Sequence, residues 1–276
     1  MSDLARSEAG LNVASRAPGG RSGLIAVARV VSLLLILAVW QGAAGAGLAD
    51  PAFVSTPAGI AQSLWRLLAD GELASNLGTT LLEIMIAFAA SVVCGIASAV
   101  VLDRNDWLNR IISPFLTAFN SMPRIALGPL FILWFGIGIA SKVVLAFSLG
   151  YFIMLLSTLG GLKNVDRDLL LMSRLFGASG LRLFRHVRLP WALPGIFAGL
   201  RLTLVYCSAG AVIGEMIAAR SGLGLLVQTF SGRFDVAGVM ALILVVAVMV
   251  MILTSLMDLA ERHLLAWSKG STDVPG

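Results

Sequence analysis

Residues 163–190, KNVDRDLLLMSRLFGASGLRLFRHVRLP, hold the densest set of reactive side chains in the sequence. Lys163, Arg167, Arg174, Arg182, Arg185 and Arg188 stand there between apolar runs long enough to cross a bilayer. The cations come without a nucleophile–base pair or a metal-ligand spacing, so the chemistry on offer is ion pairing, not bond making. Leu169, Leu170, Met172 and Phe176 fall broadly on one side of a helix predicted over 165–176. Gly177 ends that helix, because glycine reaches positive φ without a side-chain clash. Ala178 and Ser179 keep the turn slim, and Ser179 is placed to cap a second helix over 180–188, with Leu181, Phe184 and Val187 in register. Pro190 is expected to stop that helix and Pro194 to start the next span. A slim basic tip between two helices suits the groove of an acidic protein partner. The bland alternative is a basic loop resting on anionic lipid.

The elements that must hold this loop follow from composition. Of 276 residues, 58% are hydrophobic and 13% charged, and the mean hydropathy is +0.92. Soluble domains carry about 25% charged residues, so the chain is read as an all-α integral membrane protein. Continuous apolar runs exclude a barrel, and backbone amides in lipid must pair within a helix. Room remains for about six spans of roughly 20 residues. They are predicted near 24–47, 78–102, 111–136, 143–162, 194–217 and 237–261. Pro123 and Pro129 predict a kink in the third. IAQSLWRLLADG, residues 60–71, reads as a short amphipathic helix, and Gly222 and Gly224 predict a tightly folded segment within 218–236. Residues 1–22 and 266–276 read as polar tails around a membrane domain over 23–265. Ala44-Gly45-Ala46 resembles a cleavage site, but the tail before it is long for a signal peptide.

With the N-terminus cytoplasmic, Arg6, Arg16, Arg21, Arg104, Arg110, the six loop cations, Arg262 and Lys269 fall inside. Arg66, Lys142, Arg220 and Arg233 fall outside, a split that obeys the positive-inside rule. The same split argues against nucleic acid as a partner. Cys94 and Cys207 lie in apolar runs and read as small hydrophobes. His186 and His263 have no ligand partners nearby in sequence. Glu83, Glu215 and the adjacent Met216 are candidate translocation-pathway residues, since a carboxylate in a span costs on the order of 3 kcal/mol and usually faces a cavity or a partner. A purely structural role for both carboxylates is the competing reading. Gly195/Gly199 and Gly210/Gly214 have the spacing of close helix packing.

FGASGLRLFRHVRLPWALPGIFAGLRLTL resembles the cytoplasmic signature loop of ABC-importer permeases. The matching positions are Gly177-Ala178-Ser179, Phe184, Val187, Leu189-Pro190 and Pro194. Ser55-Thr56-Pro57, Met122-Pro123 through Gly138, Gly199-Leu200-Arg201, Gly214-Glu215-Met216 and Ser221–Gly224 are similar to the branch for nitrate, sulfonates and taurine. The chain departs from the pattern where the loop usually begins with Glu-Ala-Ala and this one has Leu171-Met172-Ser173. The Lys/Arg asymmetry over six spans predicts both termini cytoplasmic. The resemblance implies a type I importer permease fold in the bacterial inner membrane. It implies a second copy of the permease, two cytoplasmic P-loop ATPase subunits and a periplasmic solute-binding protein, all set in membrane lipid. It also implies an ATPase contact through Arg174, Phe176, Gly177, Ala178, Ser179, Arg182, Phe184 and Pro190. ATP and magnesium are expected on the partner chain, with no cofactor and no catalysis here: the chain has no G-x-x-x-x-G-K-[ST], H-E-x-x-H or C-x-x-C. A secondary transporter is the alternative, but it would need internal inverted repeats with ionisable coupling residues.

Overall fold

The computed structural model describes residues 21–46 and 54–264. The tails expected at 1–22 and 266–276 lie outside the described residues, except that α1 already begins at Arg21. The order is α1 (Arg21–Gly45), α2 (Pro57–Ala69), α3 (Glu72–Arg104), α4 (Asp106–Ser121), α5 (Gly128–Phe135), α6 (Ile139–Lys163), α7 (Arg167–Leu175), α8 (Gly180–Leu183), α9 (Leu189–Ile217), α10 (Leu223–Gly232) and α11 (Val236–Leu264). Strands are absent among the described residues. Among the described residues five helical runs are long and apolar enough to cross a membrane, and α4 with α5 makes a sixth if counted as one span.

The chain up to Ala58 forms one unit and the chain from Gly59 another. In the first, α1 exposes Ile25, Val30, Leu34, Ile36 and Val39, the surface of a lipid-facing helix.

In the second unit α6 is central and packs along both α3 and α9. Ile84 and Ala87 of α3, Leu145, Ala146, Met154 and Leu155 of α6, and Leu204, Cys207 and Ala211 of α9 fill this seam. Small residues set the spacing. A Cβ at Gly210 would stand 2.7 Å from the Ala146 Cα, and one at Gly199 would stand 2.6 Å from the Ser157 Cβ. In lipid, helices gain little from the hydrophobic effect, so close backbone approach is what holds them. The seam makes the bundle rigid enough to carry a loop at one end and a polar joint at the other.

Three expectations change. The third span is broken, not gently kinked: α4 stops at Ser121 and its axis turns by 80° into the segment Arg124–Phe135. Pro123 sits in the break, followed by a 3-10 turn at Arg124–Leu127, and Pro129 enters α5 in its first turn, where its missing N–H costs nothing. Pro190 does not end the second loop helix. Phe184–Arg188 form a π turn in which the Leu189 N–H donates to the Phe184 carbonyl, and Gly180–Ile217 runs on as one helical stretch. The widened turn moves the chain past the clash a proline ring would make with the carbonyl four residues back. Lys142, counted among the outside cations before a span starting at 143, lies within a helix. It opens α6 and is 4% exposed.

Candidate coupling loop and buried polar joint

The loop grows from the ends of the seam. Asp166 caps α7 by accepting from the Asp168 N–H at 2.8 Å. At the other end Gly177 adopts φ +82°, the Gly177 N–H donates to the Arg174 carbonyl at 2.9 Å, and the Ala178 N–H donates to the Ser173 carbonyl at 3.0 Å. This paired closure satisfies carbonyls that a helix end leaves open, and its left-handed residue is why glycine is needed. Ser179 stands at the start of α8 as expected, but its hydroxyl makes no capping bond; its carbonyl accepts from Arg182 and Leu183 instead.

Beyond this turn the loop is apolar and open. Leu175 is 83% exposed, Phe176 86% and Leu181 69%. Arg174 and Arg182 flank them, also exposed. Burying such side chains is worth about 2 kcal/mol each, so the tip is a surface that gains from a partner. The base is anchored. Arg188 pairs with Asp103 at the end of α3 at 2.7 Å. Phe184 packs against the cluster of Met154, Leu162, Ala192 and Ile196, with the Arg104 guanidinium 5.1 Å above its ring. A cleft of about 650 Å³ opens beside this base, lined by residues including Asp103, Asp106, Arg174 and Arg188.

The opposite end of the bundle holds the in-span carboxylates. Glu215, near the end of α9, is 0% exposed. It accepts from the Thr80 hydroxyl of α3 at 2.7 Å and from the Gly224 N–H of α10 at 2.7 Å. Thr80 in turn accepts from the Leu223 N–H at 2.8 Å, and Asn76 accepts from the Gly222 N–H at 2.6 Å. Three open amides at the start of α10 are thus satisfied by side chains of α3 and α9. Gly222 has φ +119°, and a Cβ there would run into the Glu215 carboxylate. Glu83, also 0% exposed, accepts from the Lys142 ammonium at 3.1 Å. The two carboxyl groups lie close enough to act on one another.

The expected site residues therefore separate in space. Arg174, Phe176, Gly177, Ser179 and Arg182 are exposed at the tip, and Ala178 is half-buried. Phe184 and Pro190 are half-buried at the base. Met216 is 36% exposed, while the carboxylates of Glu83 and Glu215 face helix neighbours rather than open space. Sequence reasoning missed Lys142 as the partner of Glu83, Asp103 as the partner of Arg188, and the Arg201 contacts to Asp258 and Glu261. Each pair is more than fifty residues apart in sequence. Only the rarity of charge inside apolar runs could have marked them.

The sequence and the fold are similar to those of known proteins. Residues 91–267 match the family described as binding-protein-dependent transport system inner membrane component. The riboflavin transport system permease protein RibX of Chloroflexus aurantiacus is 34% identical, over 86% of this chain and 88% of that protein. The putative aliphatic sulfonates transport permease protein SsuC of Escherichia coli K12 is 32% identical, over 84% and 89%. Among solved structures, an inward-facing MetNI methionine ABC transporter aligns with a TM-score of 0.57 at 25% identity, over 68% of this chain and 92% of that one. The chain belongs to this family: it is a multi-pass inner-membrane permease subunit of an ABC importer.

Proposed function

We propose that the chain forms half of a translocation pathway for a small solute, paired with a second copy, and is driven by a separate ATPase docked on the loop tip. The observation that carries this is mechanical. The exposed tip is continuous with a membrane span, because α8, the π turn and α9 form one helical run from Gly180 to Ile217. A force applied at Leu181 reaches α9 along this run, and the Arg188–Asp103 pair carries it to α3. ATP hydrolysis then belongs to the partner chains, whose closure draws two tips together and switches the pathway between its inward- and outward-facing states. A periplasmic binding protein delivers solute at the polar-joint end. The solute class is a small anion such as a sulfonate, taurine or nitrate, in keeping with the sulfonate permease among the relatives. Met216 contributes to the pathway surface, and Glu83 and Glu215 hold the shape of its wall. The chain sits in membrane lipid with both termini cytoplasmic, and residues 1–20 and 266–276 are its tails.

Two experiments test this. A P-loop ATPase is expected to copurify with the tagged permease in mild detergent, and a secreted binding protein to stimulate its ATP hydrolysis; a permease that transports alone, driven by an ion gradient, would replace the importer reading with a secondary transporter. The orientation predicts that membrane-impermeant thiol reagents added outside reach cysteines placed at Gly71 and Arg233, but not at Asn105 or Arg182. Outside labelling at Arg182 reverses the topology.

A further inference from the structure

Arg124 opens the 3-10 turn in the broken span, and its guanidinium sits in an unusual place for a cation. One terminal nitrogen donates to the Ser148 carbonyl at 2.7 Å and the Leu149 carbonyl at 3.4 Å, both near the middle of α6. The other donates to the Asn120 side-chain oxygen at 3.0 Å. The Phe152 ring lies 4.9 Å beneath it, and the Tyr206 phenol, near the middle of α9, is its electrostatic neighbour. The group is therefore held at mid-depth of the spanning helices, by carbonyls and a ring, with its positive charge in place. Among the described residues no carboxylate pairs with it. Of the carboxylates in the described spans, Glu83 and Glu215 are 0% exposed, Asp103 pairs with Arg188, and Asp258 and Glu261 pair with Arg201 in the last two turns of α11. The site is not sealed: Arg124 is half-buried, while Asn120 and Ser121 are exposed and Tyr206 is 47% exposed. An ionised group inside a membrane faces a partner or a water-filled path, and this one has no protein anion to face.

We infer that Arg124 is an anion-recognition residue of the translocation pathway, held by the break at Pro123 so that its free donors meet the anionic group of a passing sulfonate, carboxylate or nitrate-like solute. The assignment rests on the importer reading only for the existence of a pathway. A guanidinium is suited to the task because its planar donors match a planar or trigonal oxyanion. Bonds to Ser148 and Leu149 occupy one terminal nitrogen and the Asn120 oxygen takes one N–H of the other, which fixes the fork and leaves two of the five N–H donors for an anion. The carbonyl contacts also keep the cation from binding an anion so tightly that release fails.

The test uses the complete transporter in lipid nanodiscs, with Cys94→Ser to remove the exposed native thiol and Ser121→Cys as the reporter. The probes are two thiol reagents of similar size, methanethiosulfonate ethylsulfonate, which is anionic, and methanethiosulfonate ethyltrimethylammonium, which is cationic. With Arg124 present the anionic reagent is expected to react at least about tenfold faster, from a unit charge within about 10 Å in a partly desolvated site. Arg124→Gln is expected to abolish that preference, and Arg124→Lys to retain it, each in a monodisperse, ATPase-bound complex. A preference unchanged in Arg124→Gln, or lost in a well-folded Arg124→Lys, overturns the assignment. So does a Ser121→Cys thiol that neither reagent reaches from either face. These rates do not depend on coupling, so a failure here is distinct from failure of the ATPase to copurify, which would sink the importer reading instead.

Discussion

A Gly177→Trp permease is expected to insert in the membrane at the wild-type level and to lose solute uptake almost completely. The structure separates the two effects that such a substitution combines. The residue sits at φ +82°, which costs a side-chain-bearing residue about 1–2 kcal/mol. A folded protein has about 5–15 kcal/mol in hand, so this strain alone leaves the chain folded. Within the chain there is also no clash, since a Cβ at Gly177 meets nothing within 4 Å. Any large loss must then come from what the tip touches in another protein. Gly177→Ala provides the control, because it carries the same backbone strain with almost no added volume. It should keep most of the uptake, while the Trp variant either fails to retain the ATPase or retains it with hydrolysis no longer raised by the loaded binding protein. Both variants are compared by membrane yield, ATPase copurification and uptake in proteoliposomes. A well-inserted Gly177→Trp permease that transports at the wild-type rate would falsify the docking role of the loop.

Lys142→Met is expected to fail at an earlier stage, in folding. Lys142 is 4% exposed and its ammonium is the cation paired with Glu83, which lies beside a second carboxyl group, Glu215. Glu83 has one oxygen with no hydrogen-bond partner among the described residues even with Lys142 in place. Removing the cation leaves the buried Glu83 carboxyl without its partner, a change worth about 3–5 kcal/mol, a large share of a typical margin. The single variant should give little monodisperse protein and a sharply lowered thermal midpoint in detergent. Glu83→Gln combined with Lys142→Met should recover much of both, because replacing a whole buried pair by neutral groups of similar volume is often close to neutral. A Lys142→Met permease as stable as the wild type would mean that the pair adds nothing to the joint.

Local pattern made much of this architecture legible. The apolar runs predicted at 78–102, 143–162 and 237–261 correspond to α3, α6 and α11. The segment 60–71 corresponds to α2, with Ile60 and Leu67 buried and Trp65 exposed. The tip was legible for the same reason. Gly177 ends a helix through its own backbone freedom, with its N–H bonded to Arg174 and the Ala178 N–H to Ser173, so no distant part of the chain was needed to foresee it. Of the residues expected at an ATPase contact, Phe176 and Arg182 are exposed, but Phe184 faces the seam, and periodicity does not distinguish an apolar face that waits for a partner from one already covered.

What the amino-acid sequence determined by itself is the membrane class, the helical spans and the turn chemistry of the loop, because lipid forces every span to satisfy its own backbone and glycine acts where it stands. What only the tertiary structure decided is how the charges are used. Glu83 meets Lys142, Glu215 holds Gly224, Arg188 holds Asp103, and Arg124 reaches the carbonyls of α6. Most of these partners are tens of residues apart, and helix packing brought each pair together. The sequence likewise held both Pro123 and Pro190, one ending its helix and the other carried through a π turn. The difference lies outside the ring: the chain after Ser121 turns away through 80°, whereas the chain before Pro190 is pinned to the seam by Phe184 and Arg188, and a helix continues past a proline when packing on both sides holds it in line.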